Sequence, residues 1–250
     1  MHSEAMIATF KSLKLFGMAQ AIDDLAEQGS PAWHSAEAIL DELLKAEVSE
    51  REVRSFNYQM KAARFPSQRE LAGFDFDDSS VNEALVRSLH CGDFIDDAHN
   101  VVLIGGPGTG KTHLATAIGL QAIVHQHRRV CCFSTIELVN ALEQEKAAGK
   151  PGQMANRLVH VDLVVLDELG YLPFSQAGGA LLFHLLSKLY ARTSVSITTN
   201  LSFLGVVECV RRSEDEHGTA GSARPSLPYR RNRQRQLSLQ AQLGEGHKGN

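Results

Sequence analysis

Val101-Val102-Leu103-Ile104-Gly105-Gly106-Pro107-Gly108-Thr109-Gly110-Lys111-Thr112 decides how this chain folds, because an apolar run passes without a break into a glycine loop and then into helical spacing. The stretch fits G-x-x-x-x-G-K-[ST]. Gly105, Gly106, Gly108 and Gly110 carry no Cβ, so the backbone between them, with Pro107 and Thr109, turns its N–H groups inward around a phosphate. Lys111 is placed to reach β- and γ-phosphates and Thr112 to offer its hydroxyl to Mg²⁺. The helix starting there aims its positive dipole end at the same anion. A glycine-rich turn can match such a pattern by chance. Here the context is complete, since a strand precedes the loop and Leu114, Ala117, Ile118 and Ala122 keep a helical rhythm after it. The loop reads as a nucleoside triphosphate site.

Working outward, 250 residues at 43% apolar composition are enough for one sizeable domain and a smaller one. No apolar run approaches the ~18 residues of a membrane span, and the N-terminus has no basic stretch followed by an apolar signal core. A cytoplasmic protein without membrane association is expected. Cys91, Cys131, Cys132 and Cys209 have neither metal-binding spacing nor a disulfide framework, so buried thiols are expected. A formal net charge of -4 gives no global sign of nucleic-acid binding, which leaves that role to a local patch.

Residues 1–30 read as two short helices, with Ile7, Phe10 and Leu13 in one and Ile22 and Leu25 in the other, broken near Gly17 and ended by Gly29-Ser30-Pro31. From Ser35, Ala36, Ile39, Leu40, Leu43 and Leu44 keep helical spacing, and the pattern continues to Phe65-Pro66. Residues 1–70 therefore form a small all-helical N-terminal domain. Arg51, Arg54, Tyr58, Lys61 and Arg64 recur every three or four residues along it, a basic stripe able to hold a phosphate backbone. With Glu50 and Glu52 interspersed, the same residues also describe an ordinary solvated helix face.

Leu71 to Asp78 breaks the pattern as a linker whose Phe74 and Phe76 either anchor it to the next domain or wall a base pocket. Val81–His90 reads as a helix, Arg129–Phe133 as a strand and Thr135–Ala148 as a helix. Such alternation implies a parallel sheet flanked by helices. Val161-Asp162-Leu163-Val164-Val165-Leu166-Asp167-Glu168 is an apolar strand ending in two acids. At the carboxyl end of a buried parallel strand Asp167 can hold Mg²⁺, and Glu168 can deprotonate a water that attacks the γ-phosphate. Gly178–Ala191 reads as a helix and Ser194–Asn200 as a further strand. Asn200 either reaches that water or caps the following helix.

Together, Gly105–Thr112, Leu166-Asp167-Glu168-Leu169-Gly170-Tyr171 and Ile197-Thr198-Thr199-Asn200-Leu201-Ser202-Phe203 resemble the ATP-binding helper proteins of insertion-sequence transposition, the IstB type. These are relatives of DnaC-type helicase loaders among the AAA+ ATPases. The resemblance runs over about residues 5–203 and includes Leu15-Phe16-Gly17-Met18-Ala19 and Phe74-Asp75-Phe76. It implies an α/β AAA+ P-loop fold over residues 71–203, use of ATP and Mg²⁺, homo-oligomers on double-stranded DNA, and delivery of a cognate transposase to its target. By matching position, Lys111 and Thr112 (Walker A) serve phosphate and metal. Asp167 and Glu168 (Walker B) serve metal and water, and Asn200 is the sensor. The stripe of Arg51, Arg54, Lys61 and Arg64 gains a DNA-binding meaning.

After Phe203 the resemblance stops. The family continues with a helix, an Asp-Arg-Leu segment whose arginine acts as a finger or sensor, and a last strand. Residues 204–250 are instead rich in Arg, Gln, Ser, Pro and Gly, as in Arg224-Pro225-Ser226-Leu227-Pro228-Tyr229-Arg230-Arg231-Asn232-Arg233-Gln234-Arg235, and read as a disordered tail. A permitted back-translation of Glu214–Leu239, moved by one nucleotide, yields a family-like ending containing Asp-Arg-Leu. A single-nucleotide insertion or deletion near the codon of Phe203 explains this, and reading the gene decides it. Such a copy is expected to hydrolyse ATP poorly. The alternatives are a helicase loader, a remnant that binds ATP and DNA without completing the cycle, and a small-molecule P-loop kinase. The adjacent acids, which suit water activation better than transfer to a bound acceptor, count against the kinase.

Overall fold

The computed structural model describes residues 2–28, 31–170, 175–201 and 239–242. The chain divides into two compact units, Met1–Tyr58 and Gln59–Asn250. Among the described residues no helix is long and apolar enough to cross a membrane.

The first unit is helical, with α1 (His2–Ser12), α2 (Phe16–Glu27) and most of α3 (Pro31–Ala63). Its core is Met6, Phe10 and Leu13 of α1, Ala19 and Ile22 of α2, and Trp33 and Leu44 of α3. The break between α1 and α2 falls at Lys14, not at Gly17 as the sequence suggests. Lys14 takes a left-handed φ of 61°, and the N–H of Leu15 returns to the Phe10 carbonyl at 2.9 Å. That bond closes the last turn of α1 and satisfies one of its free carbonyls, so a lysine does there what glycine does more cheaply. Gly17 lies inside α2.

The second unit alternates helix and strand. A 3₁₀ turn (Leu71–Gly73), α4 (Glu83–Cys91) and α5 (Asp93–Asp96) lead to β1 (Val101–Ile104) and α6 (Lys111–Gln126). Then follow β2 (Val130–Ser134), α7 (Thr135–Ala147), α8 (Gln153–Leu158), β3 (Leu163–Leu169), α9 (Gln176–Leu189), β4 (Ser194–Thr199) and β5 (Leu239–Gln242). Two short helices, α5 and α8, are not predicted from spacing, since one turn carries too few residues to show a period. α8 is held instead by Glu145, whose carboxylate accepts from the N–H groups of Gln153 and, at 2.9 Å, Met154.

Among the described residues the sheet has five strands, all parallel, in the order β2-β3-β4-β1-β5. Its strands alternate between two cores. Val101, Leu103, Val130, Cys132, Leu163 and Val165 pack with α4, α5 and α6 through residues such as Val86, Phe94, Leu114 and Ile118. Val164, Leu166, Leu169, Val195 and Ile197 pack on the other face with Leu138 and Leu142 of α7, Leu158 of α8 and Leu182, Leu185 and Leu189 of α9. This is a parallel sheet covered by helices on both faces, and it brings the carboxyl ends of β1, β4 and β3 side by side.

The disorder expected of residues 204–250 lies outside the described residues, apart from β5. The tail is expected to lack a last strand, yet Leu239–Gln242 pairs with Val101–Ile104 in register. Ladder hydrogen bonds use backbone groups alone, so a segment without a strand-like pattern can still supply them.

Candidate functional site

The loop between β1 and α6 is built by its backbone. Gly108 and Gly110 have φ of 76° and 83°, a region that L side chains rarely enter. At Gly110 there is a second reason for glycine, because a Cβ would stand 2.5 Å from Cε2 of Phe74. Thr109 Oγ1 closes the turn by donating to Gly106 O at 2.9 Å, and Gly105 N–H ties the loop to β4 through Thr199 O at 3.2 Å. Lys111 folds back so that Nζ donates to Gly106 O at 2.6 Å, which stands its ammonium inside the loop. Partial burial lowers its pKa from the ordinary lysine value, while Asp167 and Glu168 act in the opposite direction. A half-buried cation whose nearest charges are carboxylates at the sheet end suits a polyphosphate.

Thr112, in the first turn of α6, donates to Asp167 Oδ1 at 3.0 Å. The same oxygen accepts from Thr198 Oγ1, and the main-chain carbonyl of Asp167 accepts from Thr135 Oγ1 at 2.7 Å. The hydroxyl and the carboxylate singled out for a cation are thus in direct contact, with hard oxygen donors of the type Mg²⁺ takes. The residues fit that ion.

Asp167 and Glu168 sit in a β-bulge. Leu166 pairs with Ile197 and Leu169 with Thr199, so Asp167 and Glu168 together face Thr198. Glu168 has a φ of 61° and an exposed side chain, and its N–H donates to Thr198 Oγ1 at 2.9 Å. A left-handed non-glycine residue costs on the order of 1–3 kcal/mol, a strain that concentrates at functional sites. The bulge gives the two adjacent acids different environments. Asp167 is partly buried against hydroxyls, and Glu168 is turned out of the strand.

Asn200 is exposed just past β4. Thr199 holds this end, donating to Leu169 O at 2.6 Å and accepting from Leu201 N–H at 3.0 Å. Asn200 therefore stands at the same edge of the sheet as the loop and the acids. Beyond Leu201, the residues that would follow it in such a helix lie outside the described residues.

The linker aromatics serve as anchors. Phe74 meets Phe76 edge-on at 4.9 Å and His113 of α6 at 5.5 Å, and both phenylalanines pack on the core that covers α6. His113 Nε2 lies 2.8 Å from Glu70 O, fastening the linker to the turn that carries Lys111 and Thr112.

The basic stripe is less free than its spacing suggests. Arg51 pairs with Glu47 at 2.6 Å and donates to Leu13 O at 3.1 Å, and Arg54 pairs with Glu50 at 3.3 Å. Lys61 and Arg64 are exposed and belong to the second unit. Arg224–Arg235 lie outside the described residues.

Sequence reasoning misses Thr198, Thr135 and His113. A signal for Thr198 is present in β4, where Ser194, Ser196 and Thr198 alternate in a fully buried strand, since a buried hydroxyl needs a partner. Nothing in the sequence marks Thr135 or His113, which act through contacts with distant segments.

A family model described as IstB-like ATP binding protein matches residues 8–210. An insertion sequence IS21 product of Pseudomonas aeruginosa, named as an ATP-binding protein, is 31% identical over 192 residues, 76% of this chain and 72% of its own. Its IS5376 counterpart from Geobacillus stearothermophilus is 32% identical over 187 residues, 74% of each chain. Among solved structures, AMPPCP-bound DnaA from Aquifex aeolicus aligns with a TM-score of 0.50 at 22% identity, over 60% of this chain and 49% of that one, a likeness of fold.

Proposed function

Because the chain belongs to the IstB-like ATP binding protein family, we propose that it binds ATP with Mg²⁺ at the carboxyl edge of its sheet and acts as a DNA-associated AAA+ ATPase that helps a transposase select its target site. The observation that carries the ATP reading is the Thr112–Asp167 contact at 3.0 Å, beside a loop that holds Lys111 inside it. The loop N–H groups and the start of α6 bind the phosphates, and Lys111 neutralises charge on the β- and γ-groups. Thr112 and Asp167 hold Mg²⁺, directly or through water. When bound, Mg²⁺ spreads the charge that develops on the phosphate oxygens. Glu168 takes the proton of the attacking water, and Asn200 orients that water against the γ-phosphate.

In this reading residues 1–70 contact DNA or the transposase, 71–203 form the ATPase core, and homo-oligomers assemble on duplex DNA. The names of the IS21 and IS5376 relatives favour transposition over helicase loading. The test is ATP binding and turnover by the full chain, with and without duplex DNA, beside Lys111→Ala. Loss of one charge-assisted contact weakens nucleotide binding by about 10- to 100-fold. Turnover is expected to rise with DNA, and the cognate transposase to be retained by the ATP-loaded protein. Nucleotide affinity untouched by Lys111→Ala, or turnover indifferent to DNA, counts against the proposal.

A second reading is a remnant that binds ATP and DNA but hydrolyses poorly. It is favoured by the end of the family match at residue 210, short of any arginine segment of the family type. An arginine supplied at that step is worth about 10³–10⁵ in rate in related systems. Turnover by this chain no faster than by Glu168→Gln supports the remnant.

A further inference from the structure

The bulge in β3 leaves a backbone N–H, that of Glu168, without a ladder partner, and a side chain from the next strand takes the vacant role. Thr198 Oγ1 accepts from Glu168 N–H at 2.9 Å and donates its own proton to Asp167 Oδ1. A hydroxyl has one proton to give, and here each neighbour fixes its direction. The carboxylate can only accept and the amide can only donate. Thr198 is 1% exposed, so water does not compete for either bond. In the sheet it stands on β4, between β3 with its two acids and β1 with the phosphate loop.

We propose that Thr198 is a positioning residue that sets Asp167 and Glu168 as a pair, one hydroxyl orienting the carboxylate that holds the metal and fixing the left-handed backbone that aims the carboxylate that activates water. The proposal rests on the reading of Asp167 and Glu168 given above. Its chemical content is a coupling. Thr112 and Thr198 both donate to Oδ1, so a cation held by Thr112 and Asp167 changes the charge on the oxygen that Thr198 donates to. The hydroxyl, more strongly polarised or less, then changes its hold on the Glu168 amide. Loading of the metal side is thereby transmitted to the residue that works on water, over two hydrogen bonds. A valine at 198 keeps the shape and loses both bonds, whereas a serine keeps both bonds and loses a methyl group.

The experiment compares the full chain with Thr198→Val, Thr198→Ser and Asp167→Ala. A fluorescent ATP analogue is titrated first in EDTA and then against rising Mg²⁺, with a thermal midpoint in EDTA as the check on folding. Affinity in EDTA is expected to stay unchanged in Thr198→Val and Thr198→Ser, because the loop and Lys111 supply it. The Mg²⁺ concentration for half-maximal tightening is expected to rise about tenfold in Thr198→Val, as for loss of an outer partner of a metal ligand. In Thr198→Ser it is expected to return to the wild-type value. A wild-type Mg²⁺ response in Thr198→Val overturns the proposal, and so does a serine variant as impaired as the valine one.

If Asp167→Ala also keeps a wild-type Mg²⁺ response, the underlying metal assignment falls and takes the proposal with it. A second measurement needs no variant. Hydrogen exchange at the Glu168 amide of the wild-type chain is followed with AMPPCP in EDTA and with AMPPCP and Mg²⁺. A change in protection on adding Mg²⁺ supports the coupling, and identical exchange in the two states overturns it.

Discussion

The Thr112 hydroxyl and the Asp167 carboxylate meet at 3.0 Å, joining the first turn of α6 to the end of β3. The contact spans the end of β4, since the strand order is β3-β4-β1. Thr112→Val keeps the volume and removes the oxygen. The expected result is nucleotide binding that is normal in EDTA but about 10- to 100-fold less responsive to Mg²⁺, read by titrating a fluorescent ATP analogue.

Glu168→Gln retains shape and backbone but cannot accept a proton at neutral pH. Nucleotide binding is expected to persist while turnover falls by about 10²–10⁴, the usual worth of a positioned base. Steady-state phosphate release measured beside equilibrium binding separates the two effects. An equal loss of both would place Glu168 in binding and not in water activation.

Gly110→Ala meets two obstacles, a φ of 83° and a Phe74 ring atom 2.5 Å from the new Cβ. A destabilisation of about 1–3 kcal/mol is expected, together with weaker nucleotide binding. Urea unfolding of Gly110→Ala alone and combined with Phe74→Ala distinguishes the causes. Removing the ring relieves the crowding and leaves the backbone strain, so the double variant recovers only part of the fold's tolerance at that position.

Burial pushes the Cys132 thiol up to about 12, with Asp167, Cys131 and Glu137 adding negative charge nearby. In the unfolded chain the same thiol ionises near its ordinary value of 9.0. Between those values the folded chain holds a proton that the unfolded chain has released. Stability present in full below pH 9.0 is therefore lost as pH rises through this window, by at most about 1.4 kcal/mol per pH unit. Urea midpoints at pH 8 and pH 10 are expected to fall further apart in the wild type than in Cys132→Ala. Equal separations would show that the thiol titrates normally in the fold.

Much of the fold and of the site is legible in the amino-acid sequence. The loop and the acids declare themselves because phosphate and metal chemistry restricts residue types at fixed spacings, and β1, β3 and β4 are unbroken runs with strand character. The bulge at Asp167 and Glu168 is not legible there, because it is a mismatch of register between β3 and β4 and belongs to neither strand alone. The part Thr198 plays in that mismatch is hidden for the same reason, although β4 itself signals a buried hydroxyl there. The break at Lys14 shows tertiary context overriding propensity, since the core contacts of Phe10 and Leu13 set where α1 must end. Glu47 and Glu50 precede Arg51 and Arg54 by one helical turn, so spacing alone is enough to anticipate that this pair of arginines is already engaged.

β5 gives β1 a neighbour on its far side. Without Leu239–Gln242, Val101–Ile104 would present a bare row of amides and carbonyls at the sheet's margin, flanked by buried valine and leucine side chains. That margin is a template for the same strand of another molecule, and it lies one residue from the phosphate loop. A protease cut ahead of Leu239 would therefore turn a nucleotide binder into a self-pairing one, and ATP, by holding the loop, would slow the conversion.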